Sequence, residues 1–277
     1  MQPRRASLPP LDPLRYAPST ERPVRGKARL MAHQMDIQPH RHDWAQLVFS
    51  VSGAVRVSAQ GETAGSTYLV PPSRAVWIPP NVVHAVTAVE QADLRTLYLH
   101  ESTATALGPG GAWSGCRVLE VSPLLRELVL SLAVDPDTPA VSTADRSRER
   151  TICSLILDEL RRARSLQLGL PMPGTGRLRR LCETMLDQPL RHADIGGWAG
   201  EAATSPRTLS RWFRDELGTS YGQWRQQLLL AQALSMAARK QPMRLIAAEL
   251  GYASPSAFSA MVTRAVGMPP SRFFAEA

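Results

Sequence analysis

The chain has 277 residues, with 32 Lys and Arg against 24 Asp and Glu, a formal charge of +8 and 44% apolar residues. That length suits two domains with a core each, and the absence of any run of about 18 apolar positions argues against a helical membrane span. Three widely separated cysteines, Cys116, Cys153 and Cys182, and a start without an apolar signal segment argue against a disulfide framework and predict a soluble cytoplasmic protein.

All the basic residues except Lys27 and Lys240 are arginines. The planar guanidinium fork suits phosphates and guanine edges, but an arginine-rich proteome gives the same bias, so charge alone does not settle a nucleic-acid partner.

Residues 1–25 mix Pro, Arg and polar residues without periodicity and are expected to be a disordered arm. Within residues 26–115, short apolar runs recur from Gln46 to Tyr98 between turn signals (QLVFSVSG, AVRVSAQG, STYLVPP, RAVWIPP, NVVHAV, DLRTLYLH), which predicts a β-sandwich or barrel. TATALGPGGAWSG, ending at Gly115, reads as a loop. In residues 116–168 the period becomes helical: Leu124, Leu125, Leu128 and Leu132 mark one amphipathic helix, and Ile152, Leu155, Ile156 and Leu160 a second, with VDPDTPAVSTAD between them. The second helix either covers the barrel or forms a dimer interface. Residues 169–176 are expected to be an interdomain linker, and residues 177–277 read as helical throughout.

That helical region carries one pattern twice, SPRTLSRWFRDELG from Ser205 and SPSAFSAMVTRAVG from Ser254. Each copy opens with an N-cap Ser followed by Pro at the first helical position and closes on Gly, Gly218 or Gly267. Leu209, Trp212, Phe213 and Leu217 form the core stripe of the first, and Phe258, Met261, Val262 and Val266 that of the second. A short helix and a tight turn precede each copy, which is a helix-turn-helix arrangement. GQWRQQLLLAQALSMAARK, between them, predicts a connecting helix roughly 25 to 30 Å long, near the ~34 Å between successive major grooves.

SPRTLSRWFRDELGTSYGQWRQQ and LGYASPSAFSAMVTRAVGMPPSRFF resemble the signature of the AraC/XylS family of bacterial transcription regulators. The resemblance implies two helix-turn-helix units joined by a linker helix, contacting double-stranded promoter DNA through the positions of the two recognition helices. In the first these are Ser205, Arg207, Thr208, Ser210, Arg211 and Arg214, and in the second Ser254, Ser256, Ala257, Ala260, Thr263 and Arg264. It further implies a homodimer and, if the protein activates, contact with RNA polymerase. The chain departs from the family pattern at Ala203, where the first turn usually has Gly, and at Val262, where Phe is frequent.

HRHDWAQLVFSVSG, from His40 to Gly53, and IPPNVVH, ending at His84, have the spacing of the two cupin motifs, and arabinose-type regulators carry such a barrel as their effector domain. On an extended strand His40, His42 and Gln46 share parity and face one side. With His84 they form a candidate site for Zn, Ni, Fe or Mn, with Gln46 in place of the usual Glu. Alternatively His40, His42, Trp44, Gln46 and His84 line an organic-effector pocket without metal. Trp77 could floor that pocket, though core packing is the safer reading.

The fold class expected is therefore a two-domain chain: an N-terminal cupin-like jelly-roll barrel with two accessory helices, and a C-terminal all-α domain of two helix-turn-helix units. The function expected is an effector-responsive transcription regulator, not an enzyme. A cupin metalloenzyme with an appended helical domain has no use for two groove-spaced helices; a constitutive DNA-binding protein with a merely dimerising barrel is the other alternative.

Overall fold

The computed structural model describes residues 7–9, 13–60, 65–108, 113–132, 142–166 and 168–274. The expectations for residues 1–6 and 10–12 of the arm, 109–112 of the glycine-rich loop and 134–141 of the inter-helix segment lie outside these residues. Residues 1–59 and 70–167 make one compact unit, and residues 60–69 and 168–277 a second. No helix among the described residues is long and apolar enough to cross a membrane.

In the first unit the strands are β1 (Ser7–Leu8), β2 (Val24–Met31), β3 (Asp36–His40), β4 (Ala45–Ser50) and β5 (Val55–Ala59). In chain order β6 (Gly65–Val70) follows, then β7 (Arg74–Ile78), β8 (His84–Ala88), β9 (Ala92–Leu99), β10 (Arg117–Glu120), β11 (Ser165–Leu166) and β12 (Gly169–Met172). One sheet of the unit runs β1-β3-β8-β5 and the other β11-β10-β7-β4-β9-β2. The pairings are antiparallel except β1 with β3.

Among the described residues this unit has three α-helices: α1 (Glu101–Thr105), α2 (Pro123–Leu132) and α3 (Thr143–Arg162). Strand β4 is buried along its whole length because both of its faces are covered. Leu47 and Phe49 point to a core shared with Leu125 and Leu128 of α2 and Ile156 and Leu160 of α3. Gln46, of opposite parity, is left for the space between the sheets.

The second unit packs β12 against β6, with Leu170 opposite Thr67, and its described residues add the helices α4 (Gly176–Asp187), α5 (Ile195–Glu201), α6 (Pro206–Leu217), α7 (Tyr221–Ala238), α8 (Met243–Glu249), α9 (Pro255–Val266) and α10 (Pro270–Phe273). Trp224 of α7 is fully buried and donates its indole N–H to the Pro171 carbonyl at 2.8 Å, tying β12 to the helical core.

Four expectations are corrected. The arm is not wholly without structure, since Ser7–Leu8 pairs with Asp36–Ile37 and Pro13–Tyr16 forms a 3-10 turn. The loop expected from Thr103 begins as helix α1, because His100 caps it by accepting from the Ser102 amide. Residues 169–172 are strand rather than linker, their backbone groups satisfied by β6. Leu160 is fully buried in the core and unavailable to a partner, whereas Leu155, on the opposite side of α3, is 43% exposed.

Candidate effector site and nucleic-acid interface

His40 and Gln46 do not share a strand: β3 ends at His40, β4 begins at Ala45, and the chain changes sheet between them. The expected parity argument is therefore corrected, although the side chains still converge. Pro39 cannot donate to the ladder, and the β3–β8 register shifts between Ile37 and His40, which sets His40 opposite His84. His42 lies on the crossing segment, where its carbonyl accepts from the Asn81 amide at 2.8 Å. Asn81 sits at φ 64°, a left-handed turn that asparagine tolerates, so the β7–β8 connection holds His42 in place.

The rings of His40 and His84 are 4.3 Å apart, those of His42 and His84 5.1 Å, and those of His40 and His42 6.0 Å. Each Nδ1 donates to a main-chain carbonyl: His40 to Gln38 at 2.8 Å, His42 to Trp44 at 2.8 Å and His84 to Val82 at 2.9 Å. These bonds fix one tautomer three times over and leave each Nε2 with its lone pair. The Gln46 Oε1 lies 2.8 Å from the His42 Nε2; because that neutral ring already donates from Nδ1, the amide pairs with it only when turned so that its NH2 donates there. The buried His84 Nε2 has no hydrogen-bond partner among the described residues.

Burial lowers the pKa of all three histidines, and His84, 1% exposed and next to His40 and His42, is held down to about 3. Neutral imidazoles are what a metal requires. One ring nitrogen from each lies within 4.8 Å of the others, while two Zn–N bonds of ~2.1 Å span ~4.2 Å at most. The residues fit a divalent transition metal after a small inward shift, with Gln46 as a neutral oxygen donor.

Trp44 stacks on His42 at 4.9 Å between centroids and stands at the site, whereas Trp77 is buried in the core and donates to the Trp113 carbonyl at 2.9 Å. Sequence reasoning missed Lys27, Arg29, Thr96 and Tyr98, which line a small cavity together with His40 and Gln46, the two predicted site residues that reach it. The alternation of β2 is irregular, and a charged residue in a strand reads as a solvent-facing one.

In the second unit, the side chains of Ser205 and Ser254 accept from the amides of Thr208 and Ala257, and Pro206 and Pro255 start the helices. Gly218 and Gly267 stop them in left-handed conformations at φ 63° and 73°. With Leu209 and Phe213 buried, Arg207, Arg211 and Arg214 are exposed on one side of α6, and Thr208 and Ser210 are half-buried beside them. On α9, Phe258, Met261 and Val262 are buried while Ser256, Ala257, Ala260, Thr263 and Arg264 are exposed. Helix α7, its first turn closed by a Ser220–Gln223 capping box, has 18 residues and so extends about 27 Å.

A ligand-binding β domain followed by two capped helix-turn-helix units defines an effector-binding, DNA-binding regulator. Residues 8–160, more than half of the chain, match the AraC-like ligand binding domain, and residues 198–276 match a helix-turn-helix domain. The chain belongs to the AraC family of transcription regulators. It is 33% identical over 236 residues to the HTH-type transcriptional regulator NimR of Escherichia coli K12, covering 85% of this chain and 81% of that protein. The arabinose operon regulatory protein of the same organism is 30% identical over 116 residues, covering 41% of this chain and 40% of that one. The crystal structure of ToxT from Vibrio cholerae aligns at a TM-score of 0.36 and 11% identity, covering 91% of this chain and 98% of that one.

Proposed function

We propose that this chain, with its small-molecule-binding domain and its DNA-binding domain, works as an effector-responsive transcription regulator and not as an enzyme. We propose that the effector binds in the barrel against His40, His42, Trp44, Gln46 and His84, and that its occupancy controls promoter binding in the cytoplasm. The observation that carries this reading is the convergence of three fixed, neutral imidazoles, one with a buried and unpartnered Nε2. A buried polar atom without a partner is unfavourable, and a ligand donor or a metal would satisfy it.

A metal bound there, Zn, Ni, Fe or Mn, would be held by His40, His42 and His84 with Gln46, and would supply a Lewis-acidic anchor for an effector oxygen. Binding it exchanges the His42–Gln46 hydrogen bond for ligation. Replacing His42 and His84 together by Ala should abolish the effector-dependent change in a reporter promoter's output and in DNA binding, while the α6 and α9 helices of the variant still bind DNA at a level that no longer answers the effector. An unchanged response contradicts the pocket assignment, and elemental analysis of untagged protein separates a metal site from an organic pocket.

The DNA readers are proposed to divide their work. On α6, Arg207, Arg211 and Arg214 have the reach for base edges, supported by Thr208, Ser210 and the Ser205 cap. On α9, Ser254, Ser256, Ala257, Ala260 and Thr263 are short, suited to phosphates and thymine methyls, and Arg264 suits a phosphate. Dimerisation through the exposed Leu155 face of α3 completes the proposal, with RNA polymerase as a partner where the protein activates. Leu155→Asp should sediment as a folded monomer; a dimer at micromolar concentration would place the interface elsewhere.

A further inference from the structure

Lys27 is 7% exposed, and among the described residues its ammonium makes one hydrogen bond, to the Tyr98 hydroxyl at 3.2 Å. It lies over the rings of Tyr16 and Tyr98, at 5.4 and 5.5 Å from their centroids. An ammonium has three donors, and among the described residues no carboxylate pairs with this one. Two residues on, Arg29 lines the same cavity and among the described residues reaches only the Pro9 carbonyl, at 3.5 Å. No Asp or Glu is among the described residues of that wall, and at the position where a glutamate is usual the chain has Gln46.

A buried cation without a counter-charge is among the least favourable arrangements a fold can keep. Here two cations stand on one face of β2 in a wall shared with the neutral His40 imidazole and the apolar Ile37, Val86 and Leu94. We propose that the effector is a small organic carboxylate, whose carboxylate group binds between Lys27 and Arg29 while its apolar part meets Ile37, Val86 and Leu94. The inference rests on the reading of the barrel as the effector site and adds the chemical class of the ligand. A guanidinium fork and an ammonium together provide charge-assisted donors to both carboxylate oxygens. Apolar walls suit a monoanion with a short hydrocarbon part better than a fully polar inorganic anion. The cavity measures about 10 Å³, room for roughly one water. Entry therefore requires side chains to move, and Arg29 and His40, the half-exposed members of the wall, stand where it meets solvent.

The test is thermal melting and calorimetric titration of the full chain with isobutyrate and benzoate, each against its amide, and with inorganic phosphate. A chelator is present throughout so that no metal contributes. Saturable stabilisation is expected from at least one carboxylate and from neither amide, weakened at least tenfold in Lys27→Met and largely kept in Lys27→Arg and Lys240→Met. Lys27→Met is expected to fold, because it replaces an unpaired buried charge by an apolar chain of similar length. The carboxylate assignment is overturned if the amides bind as well as the acids, if phosphate alone binds, if no probe binds, or if Lys27→Met keeps wild-type affinity. Amide binding that is lost in His42→Ala would overturn the charge assignment while leaving the barrel as the effector site.

Discussion

At the scale of single residues, His84 shows how burial turns a titratable group into a fixed acceptor. Its pKa is held down to about 3 by burial, with the neighbouring His40 and His42 adding to the effect. The unfolded chain, with an ordinary histidine near 6.5, therefore takes up a proton before the folded one does. The sign follows: stability associated with neutral His84 is full above pH 6.5 and is lost as pH falls toward 3. Wild-type protein should lose stability over that interval more steeply than His84→Gln, by a difference approaching ~1.4 kcal/mol per pH unit. Urea unfolding at pH 6.5, 5.5 and 4.5 measures it, and parallel profiles for the two proteins would contradict it. The histidine cluster was legible in the sequence because His-x-His and a distant His84 have the spacing of the two cupin motifs. Lys27 and Tyr98 were not legible, since what brings them to the site is the β2–β9 pairing, and Lys27 is opposite Thr96 there.

Among the elements, the two turns that precede the recognition helices use the same hydrogen bonds with different residues. After α5, the Ala203 amide donates to Gly200 and Thr204 to Ala199; after α8, Gly251 donates to Ala248 and Tyr252 to Ala247. Both turns need a left-handed residue, at φ 49° for Ala203 and 77° for Gly251. Glycine adopts that conformation freely and alanine does not. Ala203→Gly should accordingly stabilise the protein by about 1 kcal/mol, after allowance for glycine's greater freedom in the unfolded chain. A lower urea midpoint for the variant would show that the turn is not strained. The helices themselves were legible because Ser-Pro starts and glycine stops are local signals. Strand β12 was not, because Gly, Pro and short length read as a linker and its partner β6 lies far upstream.

At the scale of the whole molecule, the order of a β domain and a double helix-turn-helix could be read from the change of hydrophobic period and the repeat. The membership of residues 60–69 in the second compact unit could not, since it depends on a non-local strand pair. The chain is a transcription regulator with a ligand-binding and a DNA-binding domain, and on the division of labour proposed above α6 specifies sequence while α9 mainly sets register. Selection of bound DNA from a random pool by the full chain, by Arg211→Ala and by Arg264→Ala tests this most directly. The wild-type chain should recover a bipartite motif whose halves are about 10 base pairs apart, one helical turn. Arg211→Ala should lose roughly 1 to 3 kcal/mol and relax one or two base positions, while Arg264→Ala weakens binding about equally across sequences. Recovery of no motif, or a motif unchanged by Arg211→Ala and altered by Arg264→Ala, would contradict the assignment of the two helices.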